Sequence, residues 1–539
     1  MNRRHQAGPG RRRPSASGWT ILAAVLSLPI LVSAQAYFPG RGDAWETRPP
    51  DQVGMDQRLV ERAVAFAIAN QNKGPKDLAA VIRNNWGSEP GFRILGPTHD
   101  RGDTSGLILR NGYIVAEWGD TRRADMTFSV TKSFLSLMAA LALDRRLIGD
   151  LQDPVKMCVQ DGKFDSGHNA KITWHHLLQQ TSDWEGTLFE TPDWADRPAP
   201  PDKPELWQRR PLHEPGTYFK YNDVRVNLLA YCLLQVWRRP LPEVLRESIM
   251  DPIGASPTWR WHGYDNSWTL LDGVRMQSVS GGGHFGGGMF ISARDQARFG
   301  LLFLRRGAWN GERLFSEQWI DRLRAPADAF SGYGYMWWLN TGRRALPDVP
   351  EHIYYASGSG GNFIVVDDEN DLVVVVRWMP QLNDFLKLVF EAVREGAGGA
   401  PGSLPGGRDK RTAKPQGIPA AGATSGGTAP NVPARQAPNR GGTWIGKTEV
   451  PGVGMIEMIM DLKEAEKGSG GTISSDHPGV VKAETEIRDM TVDGETLAFV
   501  LPLADGTRLA MKLAVAGDRM TGHWEHPAGT TGAVAFVKK

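Results

Sequence analysis

The chain has 539 residues, with 62 Lys and Arg against 60 Asp and Glu, a net charge of +2. With 41% hydrophobic and 23% charged residues it reads as globular and long enough for more than one domain. This near-neutral balance excludes the basic surface that would make nucleic acid a main partner.

In chain order, the first feature is a targeting pattern. Arg3, Arg4 and the arginines at 11–13 precede an apolar run over 19–32, and Ala34-Gln35-Ala36 follows. Basic residues, a short apolar run and Ala-x-Ala predict a signal peptide over 1–36, cleaved after Ala36, and an exported protein, periplasmic or secreted. The alternative is an uncleaved anchor, which would be the chain's membrane contact; the run is short for a span and contains Pro29. The two cysteines, Cys158 and Cys232, either pair in an oxidising compartment or stay free, with Cys232 buried on a helix.

A first body is expected over 45–395. It opens with a helical stretch at 57–70. A hairpin follows, with strands at 106–110 and 113–118 around Asn111-Gly112. Next comes Phe128-Ser129-Val130-Thr131-Lys132, leading into an apolar helix through 137–143. A three-residue step on a helix puts Ser129 and Lys132 on one face, one turn apart. Ser129 would stand at the helix N-terminus, where free N–H groups and the dipole favour negative charge. A hydroxyl beside a base, with its own N–H aimed at a developing oxyanion, is the arrangement acyl transfer requires. A simple helix cap is the alternative for a lone Ser-x-x-Lys.

Further along lie Leu177-Leu178-Gln179-Gln180-Thr181-Ser182-Asp183-Trp184 and Pro215-Gly216-Thr217-Tyr218-Phe219-Lys220-Tyr221-Asn222-Asp223, the latter before an apolar helix at 226–236. Gly286-Gly287-Gly288-Met289-Phe290-Ile291-Ser292-Ala293-Arg294-Asp295 precedes a helix at 296–304. Strands are expected at 332–338, 362–366 and 372–378, and a last helix at 384–394. Tyr355-Ala356-Ser357-Gly358-Ser359-Gly360-Gly361 enters the strand at 362. Strands early and late around a helical middle predict an α+β fold, one antiparallel sheet joined from both chain ends and flanked by helices. Residues 396–442 are rich in Gly, Pro and Ala and read as a linker. Residues 443–539 alternate: Leu497, Phe499 and Leu501 share one strand face, and Leu509, Met511, Leu513 and Val515 another. Turns at Asp493-Gly494, Asp505-Gly506 and Gly517-Asp518 predict a small all-β barrel or sandwich. It carries no catalytic constellation, nothing in it names its partner, and His477, His523 and His526 lack metal-ligand spacing.

In their order, Ser129-x-x-Lys132, the Pro215–Asp223 stretch and the Ala356-Ser357-Gly358 element resemble the serine β-lactamase and penicillin-binding superfamily. The resemblance covers about 45–395 and is strongest to its class C-like branch of lactamases, D-alanyl peptidases, esterases and 6-aminohexanoate-oligomer hydrolases. It implies a β-lactamase/transpeptidase-like fold, with Ser129, Lys132 and Tyr221 catalytic and the backbone N–H groups of Ser129 and Ser359 forming the oxyanion hole. Asp223, Trp184, Ser357 and Gly358 would contact substrate. Ser182-Asp183-Trp184 is the weaker candidate for the second proton-transfer element, because its third residue departs from Ser-Asp-Asn.

Two departures matter. Asp223 stands where the branch usually has Asn, which adds a carboxylate beside Lys132 and favours its charged form. Ala356 stands where the superfamily has Lys or His, which removes the cation that holds a substrate carboxylate. The resemblance therefore implies an exported serine hydrolase of a small-molecule ester or linear amide, acting through an acyl-enzyme with neither metal nor organic cofactor. Trp184, Trp194, Trp207, Trp337 and Trp338 would give the pocket an aromatic wall. The alternatives are a true β-lactamase or D-amino-acid peptidase, and a non-catalytic binding protein on the same fold.

Overall fold

The computed structural model describes residues 36–199, 204–208 and 210–394 and, in the C-terminal module, 442–450, 454–463, 470–475, 485–493, 496–503, 508–525 and 531–538. The expected signal peptide up to residue 35, the linker up to residue 441, His477 and His526 lie outside the described residues, as do Gly494 of the turn expected at 493–494 and both residues of the turn expected at 505–506.

The principal strands of the first body are, in chain order, β1 (Ser105–Arg110), β2 (Tyr113–Trp118), β3 (Asp125–Met126), β4 (Arg260–Leu271), β5 (Val274–Val279), β6 (Gly288–Ile291), β7 (Trp338–Leu339), β8 (Tyr354–Gly358), β9 (Asn362–Asp367) and β10 (Leu372–Arg377). Its longer helices are α1 (Gln57–Ala69), α2 (Leu78–Trp86), α3 (Thr131–Asp144), α4 (Asp223–Trp237), α5 (Ala293–Leu304) and α6 (Leu382–Glu391). Six strands form the main antiparallel sheet, in the order β7-β8-β9-β10-β1-β2. The early hairpin thus docks onto the late strands, with Ser105 opposite Arg377 and Arg110 opposite Leu372.

Both faces of this sheet are covered, and the pleat shows how. Leu107 and Leu109 of β1 and Val373 and Val375 of β10 join the core around α3, α4 and α5. Ile108, Val374 and Val376 alternate to the other face, under α1 and α6. Burying each such side chain contributes about 1.5–3 kcal/mol, and continuous Val/Leu runs suit strands buried on both sides. The helix α3 is buried on every side from Thr131 to Ala142.

The middle is not purely helical. β4 and β5 form a long hairpin that, with β3 and β6, makes a second sheet in the order β3-β6-β4-β5. The expected strand at 332–338 is mostly a tight turn. Met336 has φ +58°, the Gly334 N–H donates to the Trp337 carbonyl (2.9 Å), and only Trp338–Leu339 is extended. The turn sinks Tyr335 and Trp337 into the core and presents carbonyls to α3. Ser133 Oγ donates to Met336 O (2.9 Å) and Ser136 Oγ to Tyr335 O (2.8 Å).

The C-terminal module is one curled antiparallel sheet of nine strands: β11 (Gly442–Val450), β12 (Gly454–Lys463), β13 (Gly470–Ser475), β14 (Thr485–Glu486), β15 (Arg488–Asp493), β16 (Thr496–Pro502), β17 (Arg508–Ala516), β18 (Arg519–Glu525) and β19 (Thr531–Lys538). Their order is β14-β13-β12-β11-β19-β18-β17-β16-β15, so the two edge strands are neighbours in sequence, joined through Ile487. The expected alternation holds: Leu497, Phe499 and Leu501, and Leu509, Met511, Leu513 and Val515, are buried in one core. His523 is exposed on β18. Cys158 is exposed and Cys232 buried, and both are free, which decides between the two expectations for them. No helix among the described residues is long and apolar enough to cross a membrane.

Candidate active site

The turn that carries Ser129 is held from several sides. Phe128 has φ +47°, a conformation that costs free energy for a residue with a Cβ and is held only where the surroundings fix it. Thr131 Oγ1 donates to Phe128 O (2.6 Å) and accepts from the Met289 N–H of β6 (3.1 Å), and the Thr127 N–H donates to Met289 O (2.9 Å). Buried Arg377 donates to Met126 O (2.9 Å), Ile291 O (2.8 Å) and Asn362 Oδ1 (2.7 Å), tying β3, β6 and β9 together behind the turn. Ser129 remains half-buried between fully buried neighbours.

One turn along, Lys132 places Nζ 2.9 Å from Ser129 Oγ. Lys132 is 1% exposed and its ammonium also pairs with Asp223 Oδ1. Tyr221 meets the lysine with its ring: Nζ lies 4.6 Å from the ring centroid, and the other side of the site is closed by Trp338, whose ring stacks on Tyr221 at 5.6 Å. Asn222 fixes this approach. It caps α4 by accepting from the Arg225 N–H (3.0 Å), while its own amide donates to Asp193 O (2.8 Å). Asp223 is thereby the first residue of α4, where the helix dipole favours a carboxylate.

β8 ends against the turn that carries Ser129. A Cβ on Gly358 would stand 3.3 Å from Ser129 N and overlap Thr127 O, so glycine lets the strand and the turn close up. Ala356 shares that face and is buried in the core; Ser357 alternates to the other face and is half-buried. Ser359 follows in the β8–β9 turn, its carbonyl accepting from Asn362 Nδ2 (2.7 Å).

The expectation that Trp184 contacts substrate is not met. It is 1% exposed, and its indole N–H donates to Lys163 O (3.0 Å). Trp337 is likewise core, packed against Phe303 and Tyr354. Trp194 and Trp207 are half-buried in the 183–213 loop, and the site aromatic is Trp338. Ser182 is fully buried and Tyr221 is the group at the lysine.

Sequence reasoning missed a second layer. Asp223 Oδ2 is approached by Arg197 Nη2 and by His284 Nδ1, each at 3.5 Å. Arg197 Nη1 donates to Asp196 Oδ1 (2.6 Å), and the Asp223 N–H donates to Asp196 Oδ2. His284 Nε2 lies 2.6 Å from Glu89 Oε2, and the Arg197 N–H donates to Glu89 Oε1 (3.1 Å). Burial alone would raise the Asp223 carboxyl, but Lys132, Arg197 and His284 outweigh it and hold the group well below the usual carboxylate range. For Arg197, burial is outweighed by Asp196, Asp223 and Glu89, which keep its guanidinium firmly charged. Gly282 completes the layer: a Cβ there would overlap both Lys132 Nζ and Asp223 Oδ1. The readable signal was the Ser280-Gly281-Gly282-Gly283-His284 run directly after a strand, since a glycine there marks close backbone approach. Asp196 and Arg197 sit in an irregular loop and offered none.

Glu89, Asp196 and His284 each bring a ligand atom within 4.8 Å of the others. The Arg197 guanidinium already supplies the positive charge to that trio, so its chemistry does not fit a metal centre. His352, Asp367 and Asp368 also converge. There Asp367 Oδ1 accepts from the Glu369 and Asn370 N–H groups and Asp368 pairs with Arg324, which accounts for the cluster as a turn.

The Beta-lactamase family matches residues 117–379, which contain Ser129, Lys132, Tyr221, Asp223 and the β8 element. No curated protein matches the chain. Among solved structures it is similar to a β-lactamase from Mycobacterium bovis, at 17% identity over 58% of this chain and 99% of that one (TM-score 0.38). A penicillin-binding protein homologue from Pyrococcus abyssi gives 15% identity over 80% of this chain and 95% of that one (TM-score 0.42). A family VIII carboxylesterase gives 15% over 59% and 98% (TM-score 0.39). Residues 117–379 thus carry a domain of the Beta-lactamase family, and the fold around them is the α+β β-lactamase/transpeptidase-like fold of the serine β-lactamase and penicillin-binding superfamily.

Proposed function

We propose that the protein is an exported hydrolase that cleaves a neutral ester or linear amide through an acyl-enzyme on Ser129. The observation that carries this reading is the 2.9 Å contact from Lys132 Nζ to Ser129 Oγ at the start of α3. Ser129 attacks the carbonyl carbon, and its proton passes to Lys132 or to the Lys132–Tyr221 pair. The N–H groups of Ser129 and Ser359 receive the oxyanion. Tyr221 passes a proton to the leaving alkoxide or amine, and water then repeats the sequence against the acyl carbonyl to free the acid. The apolar segment at 19–32 with Ala34-Gln35-Ala36 supports export.

Ala356 supports a neutral substrate. It lies in the core of β8, where a lysine or histidine would otherwise offer a fixed cation to a carboxylate. The test compares a p-nitrophenyl ester with nitrocefin for the wild type and for Ser129→Ala. Ester turnover should exceed nitrocefin turnover, and Ser129→Ala should lower it by several orders of magnitude at unchanged melting temperature. More than about a tenth of the rate left in that variant would move the nucleophile elsewhere. A wild-type preference for nitrocefin would make the protein a β-lactamase.

A further inference from the structure

A carboxylate paired with Lys132 poses a chemical difficulty. A lysine in a buried ion pair is an ammonium, and an ammonium cannot take the proton of Ser129. The second layer answers it by its charge count. Three carboxylates converge here, Glu89, Asp196 and Asp223, against Lys132 and Arg197. His284 is the sixth member. It is 1% exposed, and each ring nitrogen faces a carboxylate: Nε2 faces Glu89 at 2.6 Å and Asp196 at 3.9 Å, and Nδ1 faces Asp223 at 3.5 Å. It also packs against the rings of Trp86 and Phe285, which bring no charge. Nε2 is hydrogen-bonded to Glu89, whereas Nδ1 has no hydrogen-bond partner and lies at ion-pair distance from Asp223 Oδ2, an arrangement that a proton on each ring nitrogen would suit.

We propose that His284, as an imidazolium held by Glu89, and Arg197 are positioning residues that take up the charge of Asp223 through Oδ2, so that Lys132 can give up its proton to solvent and, as the neutral amine, take the proton of Ser129. The division of the carboxylate carries the argument: Oδ1 faces Lys132 and Oδ2 faces the two other cations. Asp223 then holds the lysine in place without fixing its charge. The inference rests on the Ser129 acyl-enzyme reading, and its test separates the two.

The readout is the rate at which a fluorophosphonate probe labels Ser129 as a function of pH, with the labelled peptide identified by mass spectrometry. This follows the activation of the serine without knowledge of the natural substrate. Removing a cation beside the base makes its deprotonation harder. His284→Gln and Arg197→Gln should each move the acid limb of the labelling profile up by roughly one pH unit. Asp223→Asn should move it down. A purely structural role would lower the labelled amount at every pH and leave the limb in place. Arg197 is 23% exposed on a loop, so its variant decides the matter if His284→Gln fails to fold. An unmoved limb in the folded variants, with Ser129 labelled normally, overturns this inference alone. A wild type unlabelled at Ser129 overturns the acyl-enzyme reading and this inference with it.

Discussion

At the scale of single residues, the site depends on side chains kept out as much as on those brought in. Gly282 shows this most directly, because any Cβ would strike Lys132 Nζ and Asp223 Oδ1 together. Gly282→Ala should push the pair off Ser129 and lower ester hydrolysis by about 100-fold, the usual cost of misplacing a reacting group by an ångström. Its effect on melting temperature should be modest, so kinetics at matched folded fraction is the measurement. Lys220, beside Tyr221, makes a different point. Burial, helped by Arg225 and opposed by Asp196, pushes its ammonium down from the usual 10.5 to about 8. The folded chain therefore releases this proton at a lower pH than the unfolded chain, and stability rises with pH between about 8 and 10.5. Below that window the full cost of the buried charge is present. Lys220→Met should stabilise the fold by roughly 2–3 kcal/mol at pH 7, with the gain shrinking as pH approaches 10.5. Denaturant melts at pH 7 and 10 check this. An equal gain at both would assign it to packing.

At the scale of elements, the clearest readings came from local patterns that the tertiary structure preserves. The Asn111-Gly112 hairpin, the helix at 57–69 and the strands after Asn362 all stand where periodicity and turn residues put them. The order of Ser129, Lys132 and Tyr221 was legible because helix geometry fixes the first pair and a cap residue, Asn222, fixes the third. Two elements were misread for opposite reasons. The stretch at 332–338 has strand composition, but a left-handed Met336 folds it back and Tyr335 and Trp337 are buried in the core. The β4–β5 hairpin was missed although Asp272-Gly273 marks its turn. The partners of Asp223 arrive from three separate segments, at Lys132, Asp196–Arg197 and His284, and no local pattern encodes such a meeting. Arg377 is the tie between elements, with three hydrogen bonds across β3, β6 and β9. Arg377→Met should cost about 3 kcal/mol, roughly 1 per lost bond, and should slow hydrolysis even in molecules that remain folded, because Met126 leads directly into the strained turn. A loss of stability with an unchanged rate per folded molecule would separate Arg377 from the site.

At the scale of the whole molecule, every residue assigned to the chemistry lies between Glu89 and Ser359. The main sheet closes on its own chain ends: β1 pairs with β10, the Asp56 N–H donates to Ala392 O (2.7 Å) and the Arg394 N–H to Gly54 O (3.0 Å). Among the described residues, its cores include none from the module, and the module's own core draws only on residues from Trp444 onward. A Gly- and Pro-rich stretch lies between the two bodies in sequence. A chain ended near residue 396 should therefore fold cooperatively and hydrolyse a p-nitrophenyl ester within about threefold of the full-length rate, since none of the transition-state contacts proposed above comes from the removed part. The decisive measurement pairs that rate with the extent of fluorophosphonate labelling. If the shortened chain folds and labels Ser129 but fails to turn over, the module contributes to deacylation or substrate closure. If it folds and does not label, the nucleophile turn itself depends on the module, and the separation of the two bodies argued from their cores is wrong.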